Sequence, residues 1–241
     1  MAVTTGKIRT NLERIREDIS AACAKAGRSE EDVRIVAVTK SVDFDTIKNA
    51  LDAGLTELGE SRPQQLASRA EQLDAHLRRR RNELSAPVRW HQVGHVQRNK
   101  VKLILGVAEL IHSLDSLRLA EEIDRRAERA GTVADVLLEV NCSREQQKHG
   151  CAVGAATHLS ELVCSLKHLR LRGLMTMAPL TDDPEQARPS FVRLRELFEE
   201  IRHAGIGGDD FLHLSMGMSQ DYRVAVEEGA TMVRIGTALF E

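Results

Sequence analysis

Eight apolar runs, each short enough to be a strand and each but the last followed by a stretch of helical spacing, constrain this chain more than any other feature. The runs cover residues 33–40, 56–61, 88–94, 110–115, 134–141, 169–177, 211–219 and 231–237. Helical segments lie between them: one opened by Asp43 as N-cap and closed by Gly54, one from Pro63 to Leu77, and one over 97–105. The others are expected at 117–130 with Gly131 behind it, at 156–166, at 184–204 and, as a short one, at 221–228. Such alternation leaves successive strands no hairpin route and points to a parallel sheet. Eight units in about 210 residues match a closed (β/α)8 TIM barrel better than an open doubly wound sheet. The first run is not followed by the G-x-G-x-x-G that a dinucleotide-binding open sheet would need.

One more helix precedes the first strand. Ile8, Leu12, Ile15 and Ile19 recur at spacings of three or four between charged residues, and Gly27 is placed to end the run. We therefore expect a single domain over residues 1–241, with an N-terminal helix at 5–26 packed on a barrel over 33–241. At 241 residues and 42% apolar content the chain can bury such a core. A net charge of −2 spread along the sequence predicts no nucleic-acid or anionic-membrane surface. No apolar run approaches the length of a membrane span, and the first residues lack the order of a signal peptide, so a cytoplasmic protein is expected. Cys23, Cys142, Cys151 and Cys164 show no C-x-x-C spacing and read as free thiols.

In a barrel the chemistry gathers where strands end. The strand ends here present Lys40, Ser61, His91 and His95, Asp115, Asn141, Met175 and Met177, Ser215 and Ser219, and Arg234 and Thr237. The last two runs each finish in small hydroxyl and glycine residues, a composition that suits a phosphate held by backbone N–H groups and the hydroxyls of Ser215, Ser219 and Thr237, with Arg234 supplying charge. Lys40 closes an apolar strand with no carboxylate beside it in sequence. A lysine held near a barrel axis is expected to be partly desolvated, which favours the neutral amine that attacks an aldehyde. Strand one neighbours strand eight in a closed barrel, so amine and phosphate cradle together describe a grip on pyridoxal 5'-phosphate (PLP).

The motifs Ala37-Val-Thr-Lys40, Gly59-Glu60, Trp90-His91 with Gly94-His-Val-Gln-Arg-Asn-Lys100, Val140-Asn141 with Lys148-His-Gly150, Arg172-Gly-Leu-Met175, Leu214-Ser-Met-Gly-Met-Ser219 and Val233-Arg-Ile-Gly-Thr-Ala-Leu-Phe240 occur in order along the chain. With them the chain resembles the pyridoxal phosphate homeostasis protein family, whose fold is similar to the barrel domain of alanine racemase. The resemblance implies a Schiff base of PLP on Lys40. It implies phosphate contacts from Ser215, Ser219, Gly236 and Thr237, packing of Met175 and Met218 near the ring, and Arg234 beside the cofactor. Lys148 is implied as a second amine that visits the cofactor during transfer. The family usually has Asn after Gly-Glu where this chain has Ser61-Arg62, so that contact is expected to be shortened to the Ser61 hydroxyl or replaced through Arg62.

Other groups have plainer readings. His91 and His95 straddle a strand end, which predicts hydrogen-bonded histidines rather than metal ligands. Arg78 to Arg81 is read as a solvated helix end. Racemisation needs an acid/base group on each face of the substrate, which fold relatives take from another domain over the barrel mouth. This chain stops just after the eighth run, and its only tyrosine, Tyr222, lies beside the phosphate cradle. The expectation is thus a monomeric PLP carrier or buffer that serves PLP-requiring apoenzymes without turnover of its own; a PLP-dependent amino-acid racemase is the alternative.

Overall fold

The computed structural model describes residues 2–79, 84, 86–143, 145, 147 and 149–241. In chain order its elements are α1 (Thr5–Lys25), β1 (Arg34–Val38), α2 (Phe44–Asp52), β2 (Glu57–Glu60), α3 (Pro63–Leu77), β3 (Arg89–Gln92), β4 (Ala108–Leu114), α4 (Leu117–Ala130) and β5 (Ala134–Asn141). They continue as β6 (Cys151–Ala152), α5 (Ala156–Cys164), β7 (Leu169–Met175), α6 (Arg188–His203), β8 (His213–Ser215), α7 (Tyr222–Glu227), β9 (Met232–Ile235) and α8 (Thr237–Phe240). All strand pairings are parallel. The order β1-β2-β3-β4-β5-β7-β8-β9 returns to β1, where Arg34 to Ala37 lie against Met232 to Ile235, so eight strands close a barrel. This is the TIM barrel that the alternation predicts, with α1 added before it.

The departures have local causes. The segment after β3 is a 3-10 helix, Arg98–Leu103, rather than an α-helix; Gln97 offers its first turn no capping side chain. The long helix expected from residue 184 begins as a 3-10 turn, Pro184–Ala187, and α6 starts afresh at Arg188 because Pro189 has no N–H to continue an earlier helix. Strand β6, a two-residue addition that pairs with β5 through Val140 and Cys151, is too short to leave a period in the sequence.

Two apolar layers form the core. Between barrel and helices, a continuous cluster runs from Ile8 to Phe240. Inside the barrel, Leu110, Leu137, Met175 and Met232 fill the axis, and Val36, Val38 and Val93 form a smaller group. Helix α1 packs on α2, α7 and α8, joining the first and last units from outside. Its apolar stripe explains the docking: Ile8 and Ile15 are fully buried, each stabilising by roughly 1.5–3 kcal/mol. The Asn11 amide donates to the Leu239 carbonyl (3.0 Å) and the Val3 N–H to Thr46 Oγ1 (3.0 Å). Among the described residues no helix is long and apolar enough to cross a membrane.

Candidate cofactor site at the barrel mouth

A cavity of about 380 Å³ opens at the C-terminal ends of the strands. Lys40, Ser61, Met218, Ser219, Arg234, Gly236 and Thr237 all line it, so the structure gathers seven of the nine residues expected to hold a cofactor. Val38, Val93, Met177, Pro179 and Leu180 supply apolar wall.

Each polar group is positioned by its own device. The turn that carries Lys40 is held from beneath: Arg69 of α3 donates to the carbonyls of Thr39 and Val42 (2.6 Å to Val42) and pairs with Glu60, which is fully buried. Thr39 Oγ1 donates to the Gly59 carbonyl (3.2 Å), tying the turn to β2. Ser61 reaches the mouth because Gly94 lets the ends of β2 and β3 nearly touch; a Cβ at Gly94 would lie 2.5 Å from the Ser61 carbonyl oxygen. On the far wall, Asp221 Oδ1 accepts from the Met218 N–H (2.6 Å) and shapes the turn after β8. There Ser219 Oγ accepts from the N–H groups of Gly236 (3.3 Å) and Ala238 (3.1 Å). Backbone donors from the turn after β9 thus converge on an oxygen, the arrangement that suits a phosphate.

Arg234 forms the floor. Its guanidinium donates to Ser215 Oγ (2.6 Å) and to the Thr176 carbonyl (2.9 Å) while lining the cavity. Burial draws its pKa down to about 10, with Asp221 and Glu139 opposing, so it remains a cation at neutral pH.

Two expected contacts lie elsewhere. Ser215 is fully buried below the cavity, where it accepts from Arg234, and Met175 is fully buried in the axial cluster. Met177, two residues further along, lines the cavity. Neither Ser215 nor Met175 is among the lining residues, because the cavity sits one layer above the last paired residues of β7 and β8. Lys40 is exposed rather than partly desolvated, since the last residue of β1 is Val38 and Lys40 belongs to the turn beyond it. Ser61 lines the cavity and Arg62, at the start of α3, does not. Lys148, Arg144, Arg80 and Arg81 lie outside the described residues.

Of the two strand-end histidines, His91 is hydrogen-bonded as its placement predicts, and His95 lies within ion-pair distance of a carboxylate. His91 contacts Glu57 Oε2 (2.6 Å) and His112 (2.8 Å) inside the barrel. His95 contacts Asp115 (3.2 Å) and stacks on His149 with ring centroids 4.1 Å apart and planes 12° apart. His95, Asp115 and His149 bring possible ligand atoms within 4.8 Å of one another, a clustering that the sequence spacing does not predict. Tyr222 lies outside the cavity lining, its hydroxyl donating to Asp18 of α1.

Buried polar groups under the site were missed by the sequence reading. His112 is fully buried, and burial drives its pKa well below the ordinary histidine value, with the Arg234 cation adding to the effect. Glu139 is 2% exposed, and burial raises its carboxyl to about 7, helped by Asp115 and opposed by Arg234. Their signal was present: each follows two apolar residues within a strand, in Leu110-Ile-His112 and Leu137-Leu-Glu139.

A closed parallel barrel with a strand-end lysine facing a serine- and glycine-built turn defines the class, and residues 10–241 match the family model of the alanine racemase N-terminal domain. Within that class the chain belongs to the pyridoxal phosphate homeostasis protein family. It is 40% identical over 230 residues to the pyridoxal phosphate homeostasis protein of Aquifex aeolicus, covering 95% of each chain. A crystal structure of an unknown protein from Bifidobacterium adolescentis superposes with a TM-score of 0.91 at 38% identity, over 98% of this chain and 95% of the other. PipY of Synechococcus elongatus PCC7942, solved with PLP bound, superposes with a TM-score of 0.80 at 28% identity, over 97% of this chain and 100% of its own.

Proposed function

We propose that this protein binds PLP and acts in PLP homeostasis as a carrier or buffer, with Lys40 as the covalent anchor and no turnover of its own. The observation that carries this reading is that Lys40 and the turn containing Ser219, Gly236 and Thr237 face one cavity of about 380 Å³. When bound, PLP supplies an aldehyde able to condense with an amine and a ring able to withdraw electrons. The residues fit such a group: an amine on one wall, backbone N–H groups and hydroxyls on the other, apolar surface from Val38, Val93 and Met177 between them, and a cation beneath.

Two features favour holding over turnover. Arg234 donates and never accepts, so a ring nitrogen facing it stays unprotonated and the ring remains a weak electron sink. Tyr222, the only tyrosine, is engaged by Asp18 and so does not serve as an acid/base group over the cavity. Four free cysteines suit a reducing compartment such as the cytoplasm. An exposed Lys40 leaves the anchor within reach of attacking amines and water, as release to PLP-requiring apoenzymes needs.

The test is direct. Addition of PLP should produce a visible absorption band, and borohydride trapping with mass spectrometry should place the adduct on Lys40. Lys40→Ala should lose both. A trapped adduct on another residue defeats the assignment, and steady turnover of an amino acid that disappears in Lys40→Ala restores the racemase.

A further inference from the structure

Beneath the cavity a line of polar side chains crosses the barrel interior beside the apolar Leu110, Leu137, Met175 and Met232. Arg234 donates to Ser215 Oγ (2.6 Å), which lies 2.9 Å from His112 Nδ1; His112 Nε2 is 2.8 Å from His91 Nδ1, and His91 Nε2 is 2.6 Å from Glu57 Oε2. Ser215 and His112 are fully buried, and His91 and Arg234 nearly so. Glu57 ends the line at the opposite, N-terminal mouth, where its other oxygen accepts from Arg89 (3.0 Å). Burial raises the Glu57 pKa, but the hydrogen bonds of His91 and Arg89 and the Arg89 charge outweigh it, and the carboxyl stays below its ordinary range.

With His91 neutral, the two ends fix the direction of every bond. A guanidinium only donates and an ionised carboxylate only accepts. His91 therefore gives its Nε2–H to Glu57, which leaves Nδ1 of a neutral ring as an acceptor. His112 must then give Nε2–H to His91 and accept at Nδ1 from the Ser215 hydroxyl, whose oxygen in turn accepts from Arg234. Each donor meets one acceptor. Were His91 doubly protonated, His112 would reverse and Ser215 Oγ would sit between two donors, with its own hydrogen displaced.

We propose that Glu57, His91, His112 and Ser215 are positioning residues, a polarised relay that fixes the Arg234 guanidinium at the cavity floor and couples its hold on PLP to Glu57 at the far mouth. None of the four lines the cavity. The functional half of this inference rests on the PLP reading; the relay itself does not.

The test has two arms. In the first, histidine-selective 15N NMR of the apoprotein at neutral pH should find His91 and His112 both protonated at Nε2 and bare at Nδ1. Protonation of His112 at Nδ1 overturns the relay whatever the ligand. In the second, PLP binding is titrated for three variants. Glu57→Ala should weaken binding about fivefold and shift the pH midpoint of the visible band. Glu57→Gln, whose carbonyl still accepts from His91, should restore both, and Arg89→Ala should leave both unchanged. Equal loss in all three variants, or in none, overturns the coupling. Wild-type protein that binds no PLP would defeat the functional reading, while the tautomers would still decide the relay.

Discussion

Arg69 does more for Lys40 than any of its sequence neighbours. It holds the carbonyls on either side of the lysine and neutralises Glu60, a carboxylate with no exposure. Arg69→Ala would leave that carboxylate buried and unpaired, so we expect a loss of about 3 kcal/mol in urea unfolding, with the double variant Arg69→Ala, Glu60→Gln recovering part of it. If the single variant unfolds at the wild-type midpoint, the pair is not what pins the turn. This clamp was invisible in the sequence, because Arg69 looks like one more solvated charge on α3. Lys40, Ser219 and Thr237 were legible as cavity residues for a different reason: each stands at the end of an apolar run, where a barrel opens its mouth. Ser215 and Met175 differ from Ser219 and Met177 only by layer, and the sequence tells where a strand ends more readily than which residue clears the rim.

At the scale of elements, the site is a set of turns that the strands merely aim. The turn between β8 and α7 is the most constrained. Gly217 has φ +94°, and a Cβ there would lie 2.6 Å from Ala225 Cβ and 3.0 Å from Tyr222 Cα. Gly217→Ala should therefore cost on the order of 2 kcal/mol and displace Met218 and Ser219, lowering PLP retention after gel filtration. Gly6→Ala, in α1 with nothing within 4 Å of the added carbon, serves as the control and should stabilise or leave stability unchanged. Equal behaviour of the two variants would show the turn to be tolerant. Element type was readable wherever a cap or a period marked it, as with Asp43 before α2 and Gly131 after α4. It was not readable at Arg98–Leu103, where an uncapped apolar period suits a 3-10 helix as well as an α-helix.

At the scale of the whole molecule, eight strands and the length between them were enough to specify closure, because a parallel sheet with helices outside has few other ways to bury its edges. What closure encloses was less legible, and it sets the response to pH. His112 is held neutral by burial, and His213 is lowered to about 4 by burial and by Arg34 and Arg172. Both bind a proton in the unfolded chain near 6.5 and resist it when folded, so the stability tied to them is present above 6.5 and is lost as pH falls toward 4. Glu139 acts in the other sense. Raised from 4.5 to about 7, it keeps its proton on folding, so its contribution is present below 4.5 and is lost as pH rises through 7. Between 4.5 and 6.5 two histidine terms oppose one carboxyl term, a net slope near one proton, or about 1.4 kcal/mol per pH unit. Stability of the apoprotein in urea should thus rise from pH 4.5 and level off near pH 7, where the half-titrated histidines and Glu139 offset one another. Glu139→Gln should steepen the acid side toward two protons, so that its stability climbs about twice as fast as the wild type between pH 4.5 and 6.5. A variant whose curve is parallel to the wild type across this range would mean that Glu139 is already ionised in the fold, with Arg234 rather than burial setting its charge.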